Sequence, residues 1–281
     1  MLVVSSGYNT LKMILESKLS DDYEIAIADS INTLSKDKSY IAERCGSNNK
    51  CSDILITRND GVSSWLEVKM DHHAGLGSPR VYYSDYEGGW CTTYKTPAAQ
   101  FAVNLLNSSD EASKWIKQLK KWICAELESS RDDRLFTTVC RHKSDSHYTP
   151  CDLKIVLPTT AGGLKLKGAI PVDVIQRFTS DHDRKIITHR CDITSVVESH
   201  YLEGKSKPAN YIQIGDDLYR VGEADPFNWK VPKLSINDGS ITARISIRDD
   251  KLYEIQIDIK SHSHSSSDYS LKLDSKKLRP F

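Results

Sequence analysis

Two apolar segments constrain the fold most, because each carries charged residues where a buried strand rarely holds them. "SDILIT" opens on Asp53, and "SSWLEVKM" contains Glu67 and Lys69. "RNDG", a turn signal, separates the segments, so we expect them to pair as a β-hairpin. Side chains at i and i+2 of a strand point to the same face, so Glu67 and Lys69 should emerge together, opposite to Val68. The hairpin would bring Asp53 near Glu67 at the end of a sheet.

These residues offer the ligands that a hard divalent cation requires. The carboxylates of Asp53 and Glu67 and the backbone carbonyl of Val68 would make an oxygen site suited to Mg²⁺. Lys69 beside that ion could orient or help to deprotonate a water, or neutralise charge that develops on a phosphate. The alternative is a surface ion pair between Glu67 and Lys69 on an edge strand, which explains most isolated E-x-K sequences.

The arrangement resembles the PD-(D/E)xK, or restriction-endonuclease-like, nuclease superfamily. Its pattern has an Asp at the start of one strand and a (D/E)xK tripeptide on the next. Here Ser52-Asp53 fills the first position, with Ser where Pro is usual, and "EVK" beginning at Glu67 fills the second. The resemblance covers about residues 20 to 110. It implies an α/β (α+β) fold, with a central mixed sheet flanked by helices, and Mg²⁺-dependent cleavage of double-stranded DNA, with Mn²⁺ as a substitute metal.

The resemblance also implies a catalytic acidic residue on the helix that precedes the motif. Glu24 lies in "YEIAIADSINTL", which has the apolar spacing of a helix, and Glu43 lies in "YIAERCG", which is predicted to be extended. We favour Glu24, because the helix is the expected element. After the motif, Gln100 matches a Gln that some branches place on the following helix, but Asn104 replaces the Tyr of those branches.

The segment "DHHAGLGSPRVYYSDYEGGW" supplies most of the candidate DNA contacts. Its glycines allow a backbone to approach a phosphate closely, and an arginine can contact a phosphate through two nitrogens. Its tyrosines could stack on bases or pack against the core. The candidate DNA-contacting residues are Arg80, His72, His73, Tyr82, Tyr83, Lys95 and Gln100.

The segment "KWIKQLKKW" predicts an amphipathic helix with a basic face. At helical spacing Lys114, Lys117 and Lys121 share one side, and the apolar side consists of Trp115, Ile116, Leu119, Trp122 and Ile123. The basic side could bind phosphates or could simply be solvated.

Composition and motifs exclude several function classes. The 38 basic and 38 acidic residues cancel, so nucleic-acid binding would need local patches or a metal. No apolar stretch approaches the roughly 18 residues of a membrane helix, and a Gly-rich phosphate loop is absent, so we expect neither a membrane protein nor a nucleotide cofactor. Seven scattered cysteines favour reduced thiols in a cytoplasm, bacterial or phage-encoded in a bacterial host. Cys140, His142, His147 and Cys151 could bind zinc on composition, but their spacing lacks a C-x-x-C knuckle.

The predicted organisation is a nuclease core over residues 1–204, with inserted DNA-contacting segments, followed by a β-rich region over 205–281. The C-terminal strands could instead extend the same sheet, and "SHSHSSSDYS" (261–270) predicts a solvated loop. A type II restriction endonuclease or a phage nuclease fits best, as a homodimer that matches the two strands of a palindromic site. A structure- or end-directed nuclease and a non-cleaving DNA-binding module remain alternatives.

Overall fold

The computed structural model describes residues 5–35, 39–45, 51–71, 73–84, 87–130, 170–203, 208–248 and 252–281. These ranges form a mixed α/β structure with five helices and two sheets, which confirms the predicted class. The helices are α1 (Ser5–Leu34), α2 (Pro97–Ser108), α3 (Asp110–Ser130), α4 (Val172–Asp181) and α5 (Thr194–Leu202). The strands are β1 (Tyr40–Arg44), β2 (Ile54–Arg58), β3 (Ser63–Lys69), β4 (Gly75–Gly77), β5 (Arg80–Ser84), β6 (Gly89–Cys91), β7 (Lys185–Cys191), β8 (Tyr211–Ile214), β9 (Asp217–Arg220), β10 (Asp238–Arg248) and β11 (Leu252–Ser263).

The chain divides into two compact units, each assembled from separate stretches of sequence. The first unit comprises Met1–Gly75, Asp192–Asp238 and Lys260–Phe281, and the second comprises Leu76–Cys191 and Gly239–Ile259. The boundary predicted near residue 205 lies inside the middle stretch of the first unit. The C-terminal strands therefore contribute to both units.

The sheet of the first unit has the strand order β1-β2-β3-β8-β9. Strands β1, β2 and β3 pair antiparallel in succession, and so do β8 and β9, whereas β8 is parallel to β3, so the sheet is mixed. The turn between β2 and β3 closes as predicted: Arg58 N–H donates to the Val62 carbonyl at 2.8 Å, and Gly61 takes a φ of 88° that favours glycine. Strand β3 therefore lies in the interior of the sheet, with a partner on each side.

The core of the first unit fixes which way the side chains of β3 point. Leu66 and Val68 pack in one cluster with Ile27 and Ile31 of α1. Glu67, which alternates with them along the strand, must point to the opposite face of the sheet. The apolar cluster thus determines the direction of the charged residues.

The residues "SDD" offer N-caps between two segments of helical spacing, which predicts two helices; this prediction was wrong, because α1 is one continuous helix. Asp21 and Asp22 are exposed, and Asp21 forms an ion pair with Arg44 of β1. Acidic residues that point to solvent or bind a cation need not cap a helix, and the helix continues through them.

The second unit contains the sheet β6-β5-β11-β10-β7, with β4 also paired to β11. Helices α2 and α3 meet at Ser109, whose hydroxyl accepts a hydrogen bond from the Ala112 N–H at 3.2 Å. The sequence predicts two helical pieces here, broken near "NSSD" where an Asp or Ser can cap the second, and this cap confirms the break. Among the helices of the described ranges, none combines the length and apolar character needed to cross a bilayer.

Candidate active site

The start of β2 brings Asp53 to the middle of β3. Ile54 lies opposite Leu66 in the hairpin, so the next position of the antiparallel register sets Asp53 opposite Glu67. Asp53 Oδ2 accepts a hydrogen bond from the Val68 N–H at 2.8 Å. The predicted proximity of Asp53 to the E-x-K segment is confirmed.

The Glu67–Lys69 ion pair is buried. Lys69 Nζ donates to Glu67 Oε1 at 2.7 Å, and the side chains of Lys69 and Glu67 are 18% and 1% exposed. Because β3 is an interior strand, a surface pair on an edge strand is excluded. Isolated buried charges are costly, so a buried Glu and Lys must lie close enough to compensate each other.

A tyrosine from a distant part of the chain completes this cluster. Tyr201 lies near the end of α5, is 1% exposed, and its hydroxyl lies 3.5 Å from Glu67 Oε1, at the long end of hydrogen-bond distances. No sequence motif indicated Tyr201, because the first stretch of the second unit, Leu76–Cys191, separates it from Glu67 along the chain. The helical spacing of the segment before β8 was the only available signal.

Lys69 is held in its charged form. Burial by itself would lower the pKa of the Lys69 ammonium, but its neighbours, the Glu67 and Asp53 carboxylates among them, outweigh it and raise that pKa. Burial, and then the charge of Glu67, raise the pKa of Tyr201 as well. At neutral pH Lys69 is therefore a cation, and Tyr201 is a neutral hydroxyl that can donate a hydrogen bond.

A cleft of about 580 Å³ opens beside the cluster, within the first unit. Its charged and titratable lining residues are Glu24, Asp53, Lys69, Asp71, His73 and Lys260. Three carboxylates and two lysines face the same space, which could accept an anion together with a cation. Lys260 was not a sequence candidate, since it lies on β11, far from the motif along the chain.

The structure separates the two candidates for the auxiliary acidic residue. Glu24 of α1 lines the cleft, and its Oε2 accepts a hydrogen bond from Arg44 Nε at 2.7 Å. Glu43 of β1 is exposed and is not among the residues that line the cleft. Of the two candidates, Glu24 is therefore the one that shares the cleft with Asp53.

Two histidines follow β3. His73 lines the cleft, and its backbone N–H donates to Asp71 Oδ1 at 2.7 Å. His72 lies outside the described residues, as do the four candidate zinc ligands Cys140, His142, His147 and Cys151.

The remaining DNA-contact candidates belong to the second unit, and Arg80 already has protein partners. Arg80 Nε donates to Oε2 of Glu254, which is 1% exposed, at 2.6 Å. Arg80 Nη1 also donates to the Tyr94 hydroxyl at 3.2 Å. Arg80 would have to leave this ion pair, at least in part, to contact a phosphate with both terminal nitrogens.

The two adjacent tyrosines differ in exposure. Tyr82 is buried, and its hydroxyl lies 3.4 Å from Glu87 Oε1. Tyr83 is partly exposed and packs edge-on against Trp90. Lys95 and Gln100 are exposed, and Gln100 Nε2 donates to the Tyr94 carbonyl at 3.2 Å. Tyr83 is thus the member of the pair that a ligand can reach.

The donor atoms at β2 and β3 suit Mg²⁺ better than a softer metal. In the ranges that the structure describes, no three His, Cys, Asp or Glu side chains converge into a complete metal site. Asp53 and Glu67 supply two carboxylates, and Val68 supplies a backbone carbonyl near the cleft. Mg²⁺ commonly takes one or two carboxylates and fills its octahedral shell with waters and phosphate oxygens, so this set fits it.

Comparisons with protein-family models, curated proteins and solved structures give no match to this chain. The geometry around β3 is therefore the feature that indicates a function.

Proposed function

We propose that this protein is a Mg²⁺-dependent endonuclease that hydrolyses phosphodiester bonds in double-stranded DNA. The observation that carries the proposal is the buried Glu67–Lys69 pair on an interior strand, with Asp53 opposite it and a cleft alongside. A protein core rarely keeps such a cluster for stability alone, because apolar residues of similar volume are often equally stabilising there. Perturbed charged groups beside a cleft are typical of functional sites.

The fold of the first unit supports a PD-(D/E)xK assignment. Helix α1 precedes three antiparallel strands, and α5 precedes β8, which is parallel to β3. This is a mixed sheet with helices, as the resemblance implies, and the motif residues occupy its central strands. Glu24 lies on the helix before the motif, where that resemblance expects an acidic residue.

Asp53, Glu67 and the Val68 carbonyl would hold Mg²⁺, which would activate a water and stabilise charge on the phosphate. Lys69 is charged at neutral pH, so its contribution would be to stabilise negative charge and orient water rather than to accept a proton. Tyr201 would hold Glu67 in place. Glu24, which lines the same cleft, would position a water.

The lysine at the mouth of the cleft supports an anionic substrate. Lys260 is exposed and shares the lining with Asp53 and His73. We assign it a contact with a DNA phosphate, in addition to the sequence candidates. That contact would offset the repulsion between the substrate and the three carboxylates of the cleft.

Cleavage of long unmodified duplex DNA in Mg²⁺ tests the proposal and separates its variants. Discrete fragments that disappear in Glu67→Ala and Lys69→Ala would support a site-specific, restriction-type enzyme. A continuous smear of DNA products that also requires Mg²⁺ would support a structure- or end-directed nuclease. Binding without cleavage of duplex, branched, single-stranded or modified DNA would support the non-cleaving module and overturn the proposal.

A restriction-type enzyme should also be a homodimer. The chain has a mass of 31.7 kDa. Sedimentation equilibrium should therefore give twice that mass, because two copies are needed to address both strands of a palindromic site.

A further inference from the structure

A second concave site lies within the second unit and shares no lining residue with the cleft beside β3. A cavity of about 230 Å³ opens between β5, β6, α2 and α3. The polar and aromatic residues that line it are Tyr83, Trp90, Asn107, Ser113, Lys117 and Lys120. We call it the α3 groove.

The α3 groove is positively charged. Lys117 and Lys120 line it, while its described lining contains no carboxylate. Lys117 is exposed, and so are Lys114 and Lys121 on the same helix. In a chain whose net charge is zero, four lysines within about two turns of one helix make a local basic patch.

An aromatic ring lies next to this charge. Lys120 Nζ lies 5.3 Å from the centroid of the Tyr83 ring, within the range of a cation–π contact. Tyr83 in turn packs edge-on against Trp90 at a centroid distance of 5.5 Å. Lysine and tyrosine side by side in a groove are the combination with which proteins follow a nucleic-acid strand.

Hydrogen bonds between α2 and β6 hold the floor of the groove in place. The Asn107 side chain accepts a hydrogen bond from the Trp90 N–H at 2.8 Å and donates one to the Trp90 carbonyl at 3.0 Å. A Cβ on Gly89 would lie 2.7 Å from Asn107 Oδ1, so a larger residue there would displace the Asn107 amide. At the mouth, Gly88 has a φ of 79° and open space where a side chain would stand. The backbone of β6 is thereby fixed and left uncovered beside the lysines.

We propose that the α3 groove binds the sugar-phosphate backbone of a nucleic-acid strand, as a second contact separate from the cleft at β3. The inference rests on the proposed function for the choice of partner, and on charge complementarity for the mode of binding. Ammonium groups, a serine hydroxyl and an uncovered glycine backbone suit phosphate oxygens, and the size of the cavity suits one phosphate with part of its sugar. The second unit would then hold DNA independently of any metal.

Binding of a short fluorescent DNA duplex by the full chain, measured by anisotropy in EDTA over a range of salt, tests this. Removing two phosphate contacts in Lys117→Ala/Lys120→Ala should reduce the slope of log K against log salt by about 1.8. The loss of affinity between roughly 50 and 200 mM salt should then be about tenfold smaller than in wild type. Lys185→Ala, which removes an exposed lysine from β7 of the same unit, should keep the wild-type slope.

Two controls separate charge from packing and from the other proposal. Lys117→Arg/Lys120→Arg should keep the wild-type slope of log K against log salt. Both positive charges remain in this variant, although the packing contacts of the two lysines in the groove change. An unchanged slope in the alanine variant, or equally tight lysine-dependent binding of polyglutamate, would overturn the α3 groove as a nucleic-acid site. If wild type cleaves DNA but the alanine variant binds normally, only this inference fails. If lysine-dependent binding is seen without cleavage under Mg²⁺, the groove stands and the nuclease proposal fails.

Discussion

Removing the charge of Lys69 should destabilise the protein far more than removing a lysine from the surface. Lys69→Met keeps the length of the side chain but takes the ammonium away from Glu67, whose side chain is 1% exposed. Breaking a buried ion pair in this way costs about 3–5 kcal/mol, because the remaining charge stays in a poorly solvated place. The opposite change, Glu67→Gln, should cost only about 1–2 kcal/mol, since Lys69 is 18% exposed and its long side chain can turn its charge toward water.

The double variant Lys69→Met/Glu67→Gln should be close in stability to Glu67→Gln alone, which gives a coupling energy of about 3–5 kcal/mol in magnitude. Urea unfolding in EDTA, followed by tryptophan fluorescence, measures the four free energies of unfolding. Lys260→Met is the matched control: this lysine lines the same cleft but is exposed, so it should change stability by less than about 0.5 kcal/mol.

The pH dependence follows from the direction of the pKa shift. The folded state raises the pKa of Lys69, so the stability that this charge contributes is fully present below the ordinary lysine value of about 10.4. This contribution is lost only as the pH rises further, through the raised pKa of Lys69 in the folded state. The gap between wild type and Lys69→Met should be constant from about pH 7 to 9. Equal stability of Lys69→Met and Lys260→Met, with no coupling in the cycle, would refute a buried and mutually dependent pair.

Three further predictions concern single residues of the first unit. Tyr201→Phe should lower kcat about tenfold with little change in KM, because a positioning hydrogen bond is lost, and circular dichroism should show a native fold. Lys260→Ala should raise KM for DNA and reduce the salt slope of binding by about 0.9, whereas Lys276→Ala, an exposed lysine outside the cleft, should change neither. Asp217 accepts a hydrogen bond from Lys277 at 2.5 Å; burial opposes the charge of Asp217, but this contact and others lower its pKa. Its contribution to stability should therefore be present above about pH 4 and lost as the pH falls further, so acid unfolding of Asp217→Asn should depend less on pH than that of wild type.

The sequence predicted those parts of the site that depend on neighbouring residues. The turn signal and the alternation of apolar residues were enough to pair β2 with β3, and the pairing register then set Asp53 opposite Glu67. The break between α2 and α3 was also local, because a serine at the right position supplies the cap. Each of these features is decided within about fifteen residues.

The parts that were missed depend on distant segments. Tyr201 reaches Glu67 because α5 precedes the strand that pairs in parallel with β3, and Lys260 reaches the cleft from the end of β11. Neither residue has a local pattern that indicates its partner. The serine-rich segment 261–270 was predicted to be a solvated loop, yet Ser267 and Ser270 are buried. The Ser267 hydroxyl donates to the Leu218 carbonyl at 2.6 Å, and such a partner lets a polar residue enter the core.

The most direct test of the central claim compares two carboxylates that differ in position but not in chemistry. Asp53→Asn changes one atom at the start of β2, beside the cleft, and Glu43→Gln makes the equivalent change at an exposed site on β1. Cleavage of duplex DNA should be measured for both variants over a range of Mg²⁺ concentrations. We predict that Asp53→Asn loses at least about a hundredfold in rate, as expected when a metal ligand or its support is removed, and that Glu43→Gln cleaves as wild type does. Equal rates for Asp53→Asn and wild type would contradict a metal-dependent active site at β2 and β3.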